Sequence, residues 1–168
     1  MNFIGQEKLL QLLDNYTLAT LPKTMLFMGE FGCGKHTLAK RLANRLDLVI
    51  QLIDSKITND QLIEYYQKPV ETLYLVELQN FTDKNQNSLL KFIEEPSDYA
   101  YIILLAESEA NILPTILNRC TKFQFEDYTK EQLLNFTNST NDLIFKVCIT
   151  PGQIKLSDPE AIKDLFVL

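Results

Sequence analysis

The sequence predicts an α/β fold in which a parallel β-sheet is covered by helices on both faces. Short, almost wholly apolar segments alternate along the chain with amphipathic segments of helical period, and this order is typical of βαβ crossovers. Three of the five glycines lie within residues 29–34, directly after the first apolar segment. The glycines are therefore concentrated at one turn from a strand to a helix, where the backbone must bend sharply.

The first half of the chain supplies three of the predicted strands. Leucines at helical spacing follow Gly5 and predict an amphipathic helix over 4–16. The apolar run TMLFM at 24–28 ends at a glycine and is typical of a buried parallel strand. Four further elements are predicted by the same criteria: a helix over 35–46, a strand over 48–53, a short helix over 59–66 and a buried strand over 72–77.

The second half of the chain completes the sheet and then changes character. A helix over 84–95 has one apolar stripe and is stopped by Pro96. A strand over 101–106, a short helix over 111–118 and an alternating strand over 122–125 follow, and later segments predict only helices, at 130–136, 142–148 and 159–166. We therefore predict an α/β domain over 1–126 and a small helical part over 127–168.

Composition and charge disfavour several classes of protein. The 16 basic and 22 acidic residues give a net charge of −6, which argues against a protein that grips nucleic-acid phosphates by itself. No apolar run approaches the ~18 residues of a membrane span, and the N-terminus does not resemble a signal peptide, so we expect a cytoplasmic protein. Cys33, Cys120, Cys148 and the single histidine suit neither a disulfide framework nor a zinc site, so we expect reduced thiols and no metal site.

Residues 29–37 read GEFGCGKHT and predict a phosphate-binding loop. A glycine-rich turn between a strand and a helix points backbone N–H groups and the positive end of the helix dipole at one spot, and a lysine adds a full charge there. The candidate nucleotide-binding residues of this loop are Gly29, Gly32, Cys33, Gly34, Lys35, His36 and Thr37. The alternative is a tight turn whose glycines only permit close packing.

The loop departs from the usual nucleotide-binding pattern at one position. The pattern GxxxxGK[ST] is met through Lys35, but His36 then occupies the hydroxyl position and Thr37 follows one residue late. That hydroxyl normally binds Mg²⁺, which prefers oxygen and is poorly served by an imidazole. We therefore expect phosphate binding with weak or absent Mg²⁺. The alternative is that His36 is a surface helix residue that contacts no ligand.

The predicted strand over 72–77 ends in a single carboxylate, Glu77. Nucleotide-hydrolysing sites usually place an Asp and then a Glu at this point, one for the metal and one for the attacking water. Glu77 is therefore a candidate general base. The alternative is an ordinary surface glutamate at the end of a strand.

Several segments together carry a family resemblance. In chain order they are FIGQE (3–7), GEFGCGKHT (29–37), LYLVELQNFTDKNQNSLLKFIEEP (73–96), YIILLAESEANILPTILNRCTKFQF (101–125) and TPGQ (150–153). They resemble the AAA+ clamp-loader ATPases, most closely the delta prime and gamma/tau subunits of bacterial DNA polymerase III. The resemblance covers nearly the entire chain. It implies an AAA+ P-loop domain with a five-stranded parallel sheet, followed by an abbreviated helical lid.

The resemblance also implies roles for individual residues. It implies that Ile4 and Gly5 lie near the adenine, Lys35 on the β- and γ-phosphates and Thr37 near the α-phosphate. Arg119, in the triplet NRC, matches the arginine finger that reaches the nucleotide of a neighbouring subunit. The alternative is that Arg119 only completes its own fold.

Departures from the family pattern predict a subunit with little hydrolysis of its own. Val76 occupies the position of the metal-binding aspartate, while Glu107 and Gln153 occupy the positions of two polar sensors, and His36 is a fourth change. Glu77 matches the catalytic glutamate. We therefore expect a delta-prime-like clamp-loader subunit that binds ATP or ADP, hydrolyses weakly or not at all, and donates an arginine finger during sliding-clamp loading in DNA replication.

The resemblance implies further partners and leaves alternatives open. The expected partners are the other clamp-loader subunits, the sliding clamp and primer–template DNA, with no membrane. Because only 42 residues follow Glu126, we expect no collar domain and a monomeric isolated chain. The alternatives are a hydrolysis-competent gamma/tau-like ATPase, a structural module with a vestigial nucleotide site, and a small-molecule kinase, which the absence of arginine from 127–168 disfavours.

Overall fold

The structure, a computed structural model, describes residues 5–136 and 148–157. Its centre is a five-stranded sheet with the strand order β2-β3-β4-β1-β5, in which every neighbouring pair is parallel. The strands are β1 (Thr24–Met28), β2 (Val49–Ile53), β3 (Thr72–Glu77), β4 (Ala100–Ala106) and β5 (Thr121–Gln124). The parallel five-stranded sheet predicted from the sequence is confirmed.

Helices cover both faces of the sheet. Residues of α1 (Glu7–Asp14) and α2 (Lys35–Leu46) pack on one face, together with Met25 and Phe27 of β1. The opposite face is covered by α3 (Asn59–Gln67), α4 (Asp83–Glu94) and α5 (Pro114–Leu117). Two further helices, α6 (Lys130–Phe136) and α7 (Pro151–Ser157), follow the sheet in the chain.

The central strands are buried from end to end because helices cover both of their faces. Every residue of β1 and β4 is buried, as is every residue of β3 except its last, Glu77. Burial on both faces explains why these strands are continuous apolar runs in the sequence. Since the strands are parallel, their carboxyl ends all lie at one edge of the sheet, and this edge carries the loop at 29–34.

Two helices are shorter than predicted. The helix predicted over 4–16 is limited to Glu7–Asp14, because Gly5 and Gln6 adopt positive φ angles of 75° and 63° that a right-handed helix excludes. The helix predicted over 111–118 is a single turn, Pro114–Leu117, with proline at its first position. The other predicted elements of the α/β part agree with the structure to within one residue at each end.

The part after residue 126 is only partly described. The helix predicted at 130–136 is confirmed as α6. The helices predicted at 142–148 and 159–166 lie outside the described residues, apart from Cys148, which is not helical. Helix α7 was not predicted. Leu133, Cys148 and Ile154 form a small apolar cluster in this part, against which Tyr128 also packs. The boundary near residue 127 stays a prediction.

No helix within residues 5–136 and 148–157 has both the length and the apolar character needed to cross a membrane.

Candidate functional site

The phosphate loop, residues 29–34, connects β1 to α2 at the carboxyl edge of the sheet. Gly32 and Gly34 have φ angles of 80° and 102°, which glycine adopts without the steric cost that other residues meet. Gly29 packs against Phe125, since a methyl group at Gly29 would lie 2.7 Å from the Cβ of Phe125. The predicted strand–loop–helix arrangement is therefore present.

The N-terminus of α2 supplies donors for an anion. Gly34 is the N-cap, and the first amide bonded within the helix belongs to Leu38, which donates to the Gly34 carbonyl. The amides of Lys35, His36 and Thr37 precede it, where helical N–H groups have no intrahelical acceptor. Such amides and the helix dipole favour a phosphate at this position.

Lys35 lies in the middle of this arrangement. Its side chain is folded against the loop, where Nζ donates to the carbonyl oxygens of Gly29 and Glu30, the latter at 2.9 Å. Only 9% of the residue is exposed. Its ammonium group therefore lies beside the loop amides, where negatively charged phosphates would bind.

Cys33, another predicted contact, points into the protein core. It is buried, and burial raises the pKa of its thiol above the ordinary value. Its contribution to the loop is therefore made by the backbone, while the neutral thiol fills space beneath the loop.

His36 and Glu77 form a pair that sequence reasoning did not foresee. The His36 Nε2 atom lies 2.6 Å from Glu77 Oε1, and their side chains are 45% and 37% exposed. Asn80 Nδ2 donates to the second carboxylate oxygen, Oε2, at 2.8 Å. Both oxygens of the candidate general base are thus engaged by side chains of the same chain. Whether His36 contacts a ligand stays a prediction, but its side chain does contact Glu77.

The residues at this edge do not suit Mg²⁺. Val76, at the family's metal position, is 1% exposed and packs in the apolar cluster under α3 and α4. Glu77 is already paired, and His36 offers nitrogen where Mg²⁺ prefers oxygen. Across residues 5–136 and 148–157, no three His, Cys, Asp or Glu side chains cluster in a way that would hold a metal ion.

The two altered sensor positions also have defined places. Glu107 directly follows β4 and is exposed. Gln153 lies in the first turn of α7. Its side-chain Oε1 accepts from the backbone amide of Ile149 at 2.8 Å, and its backbone amide donates to Thr150 Oγ1 at 3.3 Å. Both contacts are local, so Gln153 helps to hold the start of α7.

Of the two predicted adenine contacts, Ile4 lies outside the described residues. Gly5 adjoins Tyr128, since a methyl group at Gly5 would lie 2.8 Å from Tyr128 Cε1. The neighbouring Gln6 side chain pairs with the backbone of Glu126, accepting from its N–H at 2.7 Å and donating to its carbonyl at 2.6 Å. The segment predicted to lie near the adenine is thus tied to the end of the α/β part.

Arg119 lies at the amino ends of the parallel strands, opposite the carboxyl ends that carry the phosphate loop, and two residues before β5 begins. Its guanidinium donates to the Thr115 carbonyl at 2.6 Å and pairs with Glu94 at 2.8 Å, with about 40% of each side chain of this ion pair exposed. The four residues of β5, which runs parallel to β1, separate this position from the phosphate loop by about 13 Å at ~3.3 Å per residue. Arg119 is therefore not brought together with the loop of its own chain.

A buried glutamine positions the segment that leads to Arg119. Gln86 of α4 is 1% exposed, donates from Nε2 to the Asn111 carbonyl at 2.8 Å, and accepts from the Leu113 amide at 3.0 Å. In the sequence, only the position of Gln86 among the apolar residues of α4 could have indicated these contacts, because a polar side chain on a buried stripe needs hydrogen-bond partners.

The chain is similar to known proteins of DNA replication. The family model described as DNA polymerase III, delta subunit, matches residues 51–129. The replication factor C small subunit of Methanococcus maripaludis is 27% identical over 148 residues, covering 78% of this chain and 47% of that protein. DNA polymerase III subunit delta' of Yersinia pestis is 33% identical over 75 residues, covering 45% of this chain and 21% of that protein.

The fold has solved counterparts. The RuvB Holliday junction branch migration motor of Thermotoga maritima superimposes with a TM-score of 0.66 at 18% identity, covering 79% of this chain and 49% of that chain. At this identity the likeness concerns the fold alone. The chain spans about half the length of the first curated relatives it matches, 47% in the case of the M. maripaludis protein.

Proposed function

We propose that this chain, which is similar to clamp-loader proteins, is a member of the AAA+ clamp-loader family and acts as a delta-prime-like subunit in the clamp loader of a DNA polymerase III. It binds ATP or ADP at the phosphate loop, hydrolyses it weakly or not at all, and donates Arg119 to the nucleotide of a neighbouring subunit. Its partners are the other clamp-loader subunits, the sliding clamp and primer–template DNA in the cytoplasm. The isolated chain is monomeric.

Nucleotide binding is supported by the donors around the phosphate loop. The helix amides at Lys35, His36 and Thr37 and the ammonium of Lys35 all belong to the start of α2. These groups bind phosphate oxygens directly, so the contacts that they make do not depend on a bound Mg²⁺. Binding in this proposal therefore does not need Mg²⁺.

The observation that carries the proposal is the state of Glu77. A general base must accept a proton from the attacking water, yet Oε1 is paired with His36 at 2.6 Å and Oε2 with Asn80 at 2.8 Å. No carboxylate stands at Val76 to hold a metal. Among the described residues, the loop thus offers donors for a nucleotide, whereas the candidate general base is already engaged.

Action of Arg119 on a neighbour is supported by its distance from the chain's own loop. Arg119 lies just before β5, and the four residues of this strand span about 13 Å between it and the level of the loop. The Arg119 side chain is 40% exposed. An arginine in this position serves a nucleotide held by another subunit, and there it would stabilise charge in the transition state.

Thermal unfolding and steady-state turnover of the isolated chain test nucleotide use. At 100 times the dissociation constant, ADP adds about 2.7 kcal/mol of stability, or roughly 5–10 °C in Tm for a protein of this size. We expect this shift without Mg²⁺, and turnover far below ~1 s⁻¹. Turnover near ~1 s⁻¹ with Mg²⁺ would instead identify a gamma/tau-like ATPase, and no shift with any nucleotide would identify a vestigial site.

The arginine finger is tested in the assembled clamp loader of the source organism. Arg119→Ala is expected to lower the DNA-stimulated ATPase rate of the complex by about 10³-fold or more, because fingers contribute rate factors of that order. Arg45→Ala is the matched control, since Arg45 pairs with Asp14 on α1 and belongs to a different surface. Equal rates for wild-type and Arg119→Ala complexes would remove the finger from the proposal.

A further inference from the structure

Three consecutive carbonyl groups of the phosphate loop are bound by residues that follow the α/β part. Thr150 Oγ1 donates to the Phe31 carbonyl at 2.7 Å. The Gly152 amide donates to the Gly32 carbonyl at 3.1 Å, and the Tyr128 hydroxyl donates to the Cys33 carbonyl at 2.9 Å. The three donors, Tyr128, Thr150 and Gly152, are called the latch below.

The closest approach within this contact is between two glycines. A methyl group at Gly152 would lie 2.5 Å from the Cα of Gly32 and 2.9 Å from its carbonyl oxygen. One at Gly32 would lie 2.8 Å from both the Gly152 Cα and Thr150 Oγ1. Side chains cannot be accommodated at such distances, so the contact requires glycine on both sides.

The latch determines which way the loop amides point. In a trans peptide, the carbonyl of one residue and the N–H of the next point in opposite directions. Holding the carbonyls of Phe31 and Cys33 on the latch side therefore turns the N–H groups of Gly32 and Gly34 to the other side. The Cys33 amide between them donates to the Glu30 carbonyl at 3.2 Å.

We propose that Tyr128, Thr150 and Gly152 are positioning residues for nucleotide: they fix the phosphate loop from behind, so that the amides of Gly32 and Gly34 stand ready for phosphate. This inference rests on the nucleotide binding proposed above. It adds that affinity for nucleotide depends on the docking of the segment around α7, although that segment contributes to phosphate binding only through the loop it holds.

The test compares Gly152→Ala with Leu156→Ala, two changes in the same helix. Leu156 is 70% exposed, so its replacement leaves the loop untouched. Helix propensity alone favours alanine over glycine, so Gly152→Ala should do no harm if α7 is merely a helix. If the latch operates, Gly152→Ala loses affinity for ADP by about tenfold, equivalent to one oriented hydrogen bond, whereas Leu156→Ala stays within about twofold.

Tyr128→Phe is the second variant, because it removes a single hydroxyl and keeps the ring. Titration calorimetry with ADP is paired with ¹⁵N relaxation of the Gly32 and Gly34 amides in the protein without nucleotide. The expected order parameters fall from about 0.85 in the wild type to below about 0.6 in Tyr128→Phe, with global Tm changing by only a few degrees.

The outcomes separate the two proposals. If the wild-type chain binds no ADP, the proposed nucleotide binding is contradicted and the effect of the latch on affinity falls with it. Loss of amide order in Tyr128→Phe would then show only that Tyr128 orders the loop. A wild-type chain that binds ADP, with both variants retaining wild-type affinity and amide order, overturns the latch and leaves the proposed function intact.

Discussion

The phosphate loop and the end of β3 lie at the same edge of the sheet, yet their polar atoms are used in different ways. In the loop, contacts within the chain occupy the carbonyl groups: Lys35 binds those of Gly29 and Glu30, and the latch binds the next three. At the end of β3, contacts within the chain occupy both carboxylate oxygens of Glu77, the candidate general base.

This difference teaches that holding a nucleotide and cleaving it depend on separate sets of atoms. Internal contacts in the loop bind acceptors and so orient the amides, which supports phosphate binding. Internal contacts at Glu77 occupy the reactive atoms themselves, which opposes general-base catalysis. A sequence can therefore lose the groups that cleave a nucleotide and keep those that bind it.

The largest effect is expected from removing the charge in the loop. Lys35→Met keeps an unbranched side chain as far as the ε carbon but loses the ammonium, so affinity for ADP should fall by about 100-fold, the scale of a strong charge-assisted contact. Titration calorimetry measures it, and Lys40→Met, an exposed position on the same helix, is the control. Equal affinity for wild type and Lys35→Met would mean that the loop does not bind the phosphates.

A second prediction concerns the thiol beneath the loop. Burial raises the pKa of the Cys33 thiol, so at pH 8 it holds less of the reactive thiolate than a free thiol, and its reaction continues to accelerate above pH 9. Iodoacetamide should modify Cys33 at least about tenfold more slowly than the urea-unfolded chain at pH 8, as read by peptide mass. Burial raises the pKa of Cys120 to about 12, so it should be similarly slow. Rapid labelling of Cys33 would show an open loop.

A smaller effect is expected from releasing Glu77. His36→Ala frees Oε1 without adding a ligand for a metal, and Val76 provides none, so ATP turnover should rise by less than about tenfold and stay below ~1 s⁻¹. Stability should change by under about 1 kcal/mol, because the pair is more than a third exposed. Asn80→Ala, which frees the other oxygen, is the matched variant. A rise to ordinary ATPase rates would mean that His36 alone suppresses hydrolysis.

The smallest effect is expected at Glu77 itself. Glu77→Gln should leave both the affinity for ADP and the rate of turnover within about twofold of the wild type, since His36 and Asn80 already engage the carboxylate. In an active enzyme the loss of a general base costs about 10²–10⁴ in rate. A loss of that size in a steady-state assay would restore Glu77 as a catalytic residue and favour the gamma/tau-like alternative.

The sequence predicted the centre of the molecule well because the signals there are local. β1, β3 and β4 are covered on both faces, so they are continuous apolar runs, and three glycines with Lys35 define the loop between β1 and α2. The sequence did not predict that α1 begins only at Glu7. A positive φ angle, as at Gln6, is unusual for glutamine, and no sequence pattern indicates it.

Contacts between distant segments could not be predicted in the same way. The pair of His36 and Glu77 joins residues 41 positions apart, and the bond from Tyr128 to Cys33 joins residues 95 apart. Both depend on how the helices pack against the carboxyl edge of the sheet. The topology places His36 and Glu77 at one edge, but only the three-dimensional packing determines that their side chains meet.

The pairing of Gln6 with Glu126 brings the two ends of the α/β part to a single point. Two hydrogen bonds of 2.6 and 2.7 Å join residues that are 120 positions apart, because the side-chain amide of Gln6 bonds to both the N–H and the carbonyl of Glu126. Residues 6 and 126, which lie near the two ends of the predicted α/β domain, are therefore adjacent in space. Adjacent ends of this kind make a fold amenable to circular permutation, with a short linker across the junction and a new opening in an exposed connection.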